Sequence, residues 1–487
     1  MSNHIEDPKT VEILKWFEEV SKIPRCSCNE EQIALWLIDW AKKNGFPSNR
    51  DKTGNVVIRI PASKGYESAP AVILQGHMDM VCEKTQDSDH DFSKDPIKPV
   101  YGEEWLTADK TTLGADNGIA IAMAMTAALD KESLHPPLEL LFTVDEETSL
   151  TGAGALEPGF VEGKCLLNID SEKEGVFLVG CAGGERGDHT LPLDFVPTPP
   201  GYVPVTIEVT GLSGGHSADI HLEKANALKL IGRTLNAIAL ERRFHLADLA
   251  GGKADNAIPR NAEAVIFIKP SELPSTRSVV SGLEKKTRDE FKNTDPSLTI
   301  RVSEGSKKTY NEVITEKDSA RVLLLILAMP HGIYAMSAEI PNFVETSDNF
   351  ASFQIEDHRL KIVTSQRSPI VSRLEDVGAH IASVVCLAGG TSDFHDRYPG
   401  WKANMDSALL KKASAVYKKL RGQEPIVETT HGGLECGLID ERLPGMDMIS
   451  FGPTIQNPHS PGERIFIPSI GRIYEFLVKL LEDLKNF

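Results

Sequence analysis

A chain of 487 residues, 41% hydrophobic and 25% charged, has room for two or three domains with their own cores and is too apolar to be disordered or fibrous. Its formal net charge of −18, from 52 basic and 70 acidic side chains, excludes a dedicated binder of nucleic acid or of an anionic membrane, since both need a basic face. The longest uniformly apolar run, Val322 to Met329, falls far short of the ~20 residues that span a bilayer.

The opening MSNHIEDPKTVEIL lacks the basic and apolar regions of a secretion signal. Seven cysteines follow no disulfide or zinc-knuckle spacing, so no disulfide framework and a reducing cytoplasm are expected. The spacing of Val11, Ile13, Leu14, Phe17 and Val20 predicts a helix over 9–23, and Asn29-Glu30-Glu31 opens a second one through Trp40 toward Gly45. Apolar runs of strand length follow at 55–60, 71–75, 138–144, 165–169 and 176–180, with an Ala- and Met-rich helix at 117–129. Buried strands alternating with helices predict an α/β layered domain. The Gly- and Pro-rich stretch 181–204 reads as a hinge. Beyond it come a strand at 205–210, a helix at 217–241, a strand at 262–268, a helix at 273–293 and a strand at 298–303. A helix at 316–329, strands at 342–347 and 360–365 and a helix at 370–388 make a second unit. Long helices at 406–421 and 470–484 flank a loop-rich stretch. The expected architecture is an α/β catalytic domain, a mixed sheet with helices on both faces, built from 1–184 and 391–487. It is interrupted by an inserted α+β domain at 185–390, read as two tandem units.

Acidic and histidine clusters fall at the ends of these strands. His77 and Asp79 follow the run AVIL and, two apart on extended chain, share a face; a carboxylate beside a histidine can fix its tautomer as a metal ligand. Asp116 sits where a Gly-rich loop enters a helix, a place for an N-cap or for a carboxylate bridging two cations. Asp145-Glu146-Glu147 close the most apolar strand, where burial raises their pKa unless a cation neutralises them; one Glu could bind metal while its neighbour stays free as a base. Asp170 ends a further strand. Taken singly, these motifs read as a surface histidine near an aspartate, a helix cap and a solvated acidic loop. Together they converge on the carboxyl edge of one sheet, the place where open α/β sheets carry their sites. A hydrolytic two-metal centre wants N/O donors with open positions, and a second histidine, best supplied by His459 in the Pro-stiffened NPHSP loop, would complete it.

GHMDMV, GADNG, VDEE, NIDSE and PHSPGE, in this order, resemble the co-catalytic dizinc amidohydrolase family that includes aminoacylase, carboxypeptidase G and several dipeptidases. SKIPRCSCNEEQ, GLSGGHS, NAIPR and ECGLIDERLPGMDMISFGPTIQNPHSPGE are similar to its aminoacyl-histidine dipeptidase branch over nearly the whole chain. The resemblance implies His77, Asp116 and Asp170 as ligands of one metal ion and Asp116, Glu147 and His459 as ligands of the other. It implies Glu146 as general base and Asp79 as the carboxylate orienting His77. His216 would be the lid histidine that steadies the oxyanion, and Asn256 and Arg367 would hold the substrate's carboxylate. Glu435, in the branch-specific ECG, is grouped with the substrate-binding residues, and Cys436 is given no role. His395 and His431, beside branch motifs, are candidates for a substrate or supporting role.

The implied activity is hydrolysis of small unblocked dipeptides, Xaa-His and β-Ala-His among them, by water activated between two divalent ions. Zinc is the family expectation, with manganese or cobalt suited to the same donors. The alternatives are an N-acyl amino-acid deacylase of the same superfamily and a non-catalytic peptide-binding relative. No nucleic-acid or membrane partner is expected, and the sequence leaves a homodimer open.

Overall fold

The computed structural model describes residues 5–341 and 343–487. It divides into two compact units: Met1–Cys181 with Trp401–Thr430 and Leu434–Phe487, and Ala182–Gly400 with His431–Gly433.

Unit 1 is built on an eight-stranded mixed sheet. Its strands run across the sheet as Ser48–Arg50, Val56–Ile60, Leu138–Thr143, Val72–His77, Cys165–Asn168, Asp447–Ser450, Val176–Cys181 and Ile426–Thr430. The middle of the sheet is parallel: Val72–His77 pairs with Leu138–Thr143 on one side and with Cys165–Asn168 on the other. Their carboxyl ends therefore lie side by side. Successive residues point to opposite faces, and both faces are covered. Leu74, Leu140 and Leu167 pack with the helices Pro8–Ser21, Ala115–Leu129 and Ile467–Asp483. Ile73, Leu141 and Leu166 face Cys436, Ile439 and Leu443 of the helix Glu435–Arg442 and its end. The first helix shows the local logic. Asp7 accepts the Thr10 N–H as N-cap, Pro8 takes the first turn, and Ile13, Leu14, Phe17 and Val20 are fully buried. Such a cap contributes ~1 kcal/mol and each such side chain roughly 1.5–3 kcal/mol.

Unit 2 carries one nine-stranded antiparallel sheet, with Gly332–Met336 pairing alongside Val344–Glu356 off its main path. The helices Ala227–Ala239, Glu316–Ala328 and Val371–Leu387 pack on its core. The two tandem α+β units expected from the sequence are thus fused through a single sheet. They join where His245–Gly251 pairs with Val344–Glu356. Two strands that apolar runs did not reveal extend the sheet beyond them: Gly183–Pro192 pairs with Arg359–Ser368 on one side and with Thr391–Tyr398 on the other. They correct the limits 185 and 390 to 182 and 400 and turn most of the expected hinge into sheet. The helix expected over 217–241 is two elements, a 3-10 segment Ser217–Leu222 and a helix Ala227–Ala239 capped by Asn226. The strand expected at 342–347 is Val344–Glu356; its expected first residue, Asn342, lies outside the described residues.

One disulfide, Cys26–Cys82, joins residues 56 apart, against the expectation of none; five cysteines are free. Sequence distance hid the pair. Among the described residues, no helix is long and apolar enough to cross a membrane.

Candidate metal centre

The three adjacent strand ends of unit 1 deliver His77, the Asp145–Glu147 turn and Asp170 to one edge. His77 is 1% exposed. Its Nε2 lies 3.1 Å from Asp116 Oδ1 and 3.5 Å from Asp170 Oδ1, and its Nδ1 is 3.2 Å from Asp79 Oδ1. His459 Nε2 lies 3.2 Å from the other oxygen of Asp116 and 2.9 Å from Glu147 Oε2. Asp116 therefore stands between two imidazoles, one oxygen to each. Glu146 Oε2 is 4.0 Å from His77.

Among the described residues four triplets bring their donor atoms within 4.8 Å of one another: Glu30, Asp79 and Asp145; His77, Glu146 and Glu147; and the two built around Asp116, namely His77, Asp116 and Asp170, and Asp116, Glu147 and His459. These residues come from segments up to 382 positions apart (77 to 459). Asp79 belongs to neither triplet that contains Asp116. It accepts the N–H groups of Glu146 and Glu147 at 3.0 and 3.2 Å and the Ser27 hydroxyl at 2.7 Å. It is thus both the partner of His77 Nδ1 and the cap of the turn carrying the two glutamates.

The electrostatics are those of a site with too many carboxylates for its imidazoles. Burial works against charge on His77, yet Asp116, Asp170 and Asp79 hold its pKa well above the ordinary histidine value. His459, bonded to Asp116 and Glu147, is pushed up to about 11. Burial, then the charges of Asp170, Glu435 and Glu147, raises Glu146 well above the carboxylate range, although His77 opposes this. Glu172, unnoticed in the sequence, is raised to about 8 by burial and by Asp116 and Asp170. Glu147 Oε1 is buried with no hydrogen-bond partner. Closely packed, half-desolvated carboxylates are costly unless cations neutralise them. The donor set, all N and O with an orphaned carboxylate oxygen, fits divalent ions of the zinc, manganese or cobalt type.

Glu435 needs correction. Its side chain is 0% exposed, beneath the strand ends, where Gln75 and Thr143 donate to Oε2 at 2.6 and 2.7 Å. The first turn of the helix Glu435–Arg442 packs against the sheet face, so the carboxylate meets the sheet and not a substrate. Burial lifts its pKa to about 7. Cys436 beside it is core.

In unit 2, His216, Asn256 and Arg367 are neighbours. His216 pairs with Ala257 in a short ribbon, Ser217 N–H donates to Asn256 O at 2.8 Å, and Arg367 Nε donates to Ser217 Oγ at 3.1 Å. Arg367 Nη1 also meets Tyr398 Oη at 3.0 Å. His216 and Asn256 are exposed, whereas Arg367 is buried. His216 Nδ1 accepts the Ala218 N–H at 3.2 Å, which puts the ring proton on Nε2. His431 is buried against Ser347 Oγ at 2.7 Å. His395 is half-buried between Asp188 and Asp396.

Sequence reasoning also missed Arg25, Gln75, Asn117 and Glu463. Asn117 accepts the His77 N–H and donates to Ile169 O, tying two strand ends together. Their signal in the sequence is only that they sit inside or beside the acidic motifs.

A sequence model of peptidase family M20/M25/M40 matches residues 73–483. The cytosol non-specific dipeptidase of Escherichia coli is 37% identical over 469 residues, 96% of this chain and 96% of its own length. The acetylornithine deacetylase of Myxococcus xanthus is 27% identical over 396 residues, 72% of this chain and 92% of its own. The crystal structure of aminoacylhistidine dipeptidase from Vibrio alginolyticus superposes with a TM-score of 0.89 at 37% identity, covering 99% of each chain.

Proposed function

The chain belongs to peptidase family M20/M25/M40, and on that premise we propose that it is a metal-dependent dipeptidase cleaving unblocked dipeptides, Xaa-His and β-Ala-His among them. The observation that carries this reading is Asp116, with one carboxylate oxygen facing His77 and the other facing His459. His77, Asp116 and Asp170 would hold one divalent ion, and Asp116, Glu147 and His459 a second; zinc is the proposed metal. Bound there, the ions supply Lewis-acid pull on the scissile carbonyl and acidify the attacking water.

The chain's own groups do the rest. Glu146, 4.0 Å from His77 and outside both proposed ligand sets, takes the proton of the attacking water and hands it to the leaving amine. Asp79 fixes His77 through Nδ1 and holds the Glu146–Glu147 turn by its backbone. His216 donates from Nε2 to the developing oxyanion, and Arg367 with Asn256 takes the substrate's carboxylate. Residues 185–390, in the structure 182–400, are proposed as the lid that carries these three groups. If two copies pair as a homodimer, His216 still serves its own chain, so activity per chain is expected to be independent of protein concentration.

The deacylase reading is weaker, because the deacetylase relative covers 72% of the chain at 27% identity where the dipeptidase covers 96% at 37%. A panel of Ala-His, β-Ala-His, Ala-Ala and N-acetyl amino acids, on protein of defined zinc content, tests the choice. Turnover of the free dipeptides is expected. Turnover of N-acetyl substrates alone would replace this reading with the deacylase. In the same panel Glu146→Gln should lower kcat by ~10²–10⁴ with zinc content unchanged. Wild-type rates in that variant would remove Glu146 as the base.

We also propose a cytoplasmic location, as the name of the Escherichia coli relative suggests. Cys26 and Cys82 would be reduced there. Alkylation at lysis should then count all seven thiols, whereas five would point to an oxidising compartment.

A further inference from the structure

The loop that carries Asp116 is gripped from both sides by charges that touch no candidate donor atom. Glu463, 2% exposed, accepts four successive backbone N–H groups. Oε2 takes those of Leu113 and Gly114 at 2.8 and 3.0 Å, and Oε1 takes those of Ala115 and Asp116 at 2.8 and 3.3 Å. Arg25, also 2% exposed, donates from Nη2 to the carbonyl of the same Gly114, at 2.5 Å. Its Nη1 donates to Met78 O and Asp79 O at 3.0 and 2.8 Å, on the segment that carries His77 and Asp79. Gly114 has φ +67°, and a Cβ there would come within 2.6 Å of Arg25 Nη2. The glycine thus lets the guanidinium reach the carbonyl.

We propose that Glu463 and Arg25 are positioning residues that preassemble the metal centre. They lock the 77–79, 114–116 and 459–463 segments in register, so that Asp116 stands between His77 and His459 before any ion arrives. His459 and Glu463 lie four residues apart on one loop. The contact that seats His459 beside Asp116 therefore also fixes the Asp116 backbone. A carboxylate suits the task because each of its two oxygens accepts a pair of N–H groups. Gln at 463 would turn an amide NH₂ toward one pair and leave two buried donors unpaired. The inference rests on the two-ion reading above.

The test is zinc affinity, measured by competition with a chromophoric chelator on metal-stripped wild type, Glu463→Gln and Glu463→Asp, with the unfolding midpoint of each stripped protein. Wild type should take up two zinc ions. Glu463→Gln should bind zinc ~10–100-fold more weakly, the range for groups that orient ligands, while its stripped form remains folded. Its cobalt-loaded form should show a shifted visible absorption, which reports altered ligand geometry and which a purely structural residue would leave unchanged. Glu463→Asp keeps both oxygens and should recover part of the affinity. Wild-type affinity and spectrum in Glu463→Gln would overturn the proposal, as would equal losses in both variants tracking a lowered midpoint. If Glu463→Gln does not fold, Glu463→Asp decides, since folded protein with unchanged affinity and spectrum overturns it. Failure of wild type itself to bind two ions would instead strike the two-ion reading beneath.

Discussion

His77 in unit 1 is almost wholly buried and meets acids from chain segments far apart in sequence, while His216 in unit 2 is exposed and held by Ala218 and Ala257, a short ribbon away. Around His77 nearly every backbone group has a dedicated partner. Asn117 takes its N–H, Asp79 caps the glutamate turn, and Glu463 holds the Asp116 loop. Around His216 the backbone is tied by Ser217 N–H to Asn256 O, by Asn349 to the carbonyls of Asp255 and Ala257 and by Arg367 to Ser217, while the imidazole itself is exposed. A site that must hold ions in fixed geometry is over-determined by many small bonds, whereas groups that act on a transient ligand need only be presented. Substitutions in the first region should therefore change metal binding, and those in the second should change kinetics alone.

The largest expected kinetic effect outside the acid edge is at His216. His216→Ala should lower kcat by roughly 10²–10³, the cost of a lost oxyanion donor, with zinc content unchanged. A parallel loss of zinc would erase the distinction between the regions. Arg367→Ala should act on KM, raising it roughly 10–100-fold for a lost charged hydrogen bond, with Arg367→Lys recovering part. A change in kcat with KM unaltered would take Arg367 out of substrate binding. The smallest effect sharpens the comparison inside unit 1. Glu435 has a folded pKa of about 7 against an ordinary 4.5, so between these values the folded state keeps a proton the unfolded chain has lost. Its contribution is full below about pH 4.5 and is lost as pH rises through 7. In metal-stripped protein, Glu435→Gln, which cannot ionise, should match wild type at pH 4 and be more stable by about 1–3 kcal/mol at pH 8. Equal stability at both pH values would mean that Glu435 does not carry this burial cost.

The acid edge was legible because its strands are apolar runs that stop at charged residues, and the parallel pairing of Val72–His77 with both neighbours follows from helices between them. The sheet of unit 2 was legible only in part. Gly183–Pro192 buries Gly187, His189 and Leu191 on alternate positions, so its inward face shows little hydrophobic signal, and Thr391–Tyr398 has only Phe394 and Tyr398 as large hydrophobic side chains. Hydrophobic periodicity cannot mark a strand whose inner face is glycine and histidine. Arg25 and Glu463 were hidden for another reason. A charged residue that bonds backbone carbonyls or N–H groups carries no pattern along the chain, and its partners lie up to 350 positions away (113 to 463). The Cys26–Cys82 pair is equally a fact of space and not of spacing.

The central claim is that Asp116 stands between two bound ions. Anomalous diffraction at the zinc edge from crystals of zinc-loaded protein tests it most directly. Two peaks are expected, one beside His77 and Asp170 and one beside His459 and Glu147, with one oxygen of Asp116 toward each. A single peak, or a pair of which Asp116 touches only one, would contradict the account.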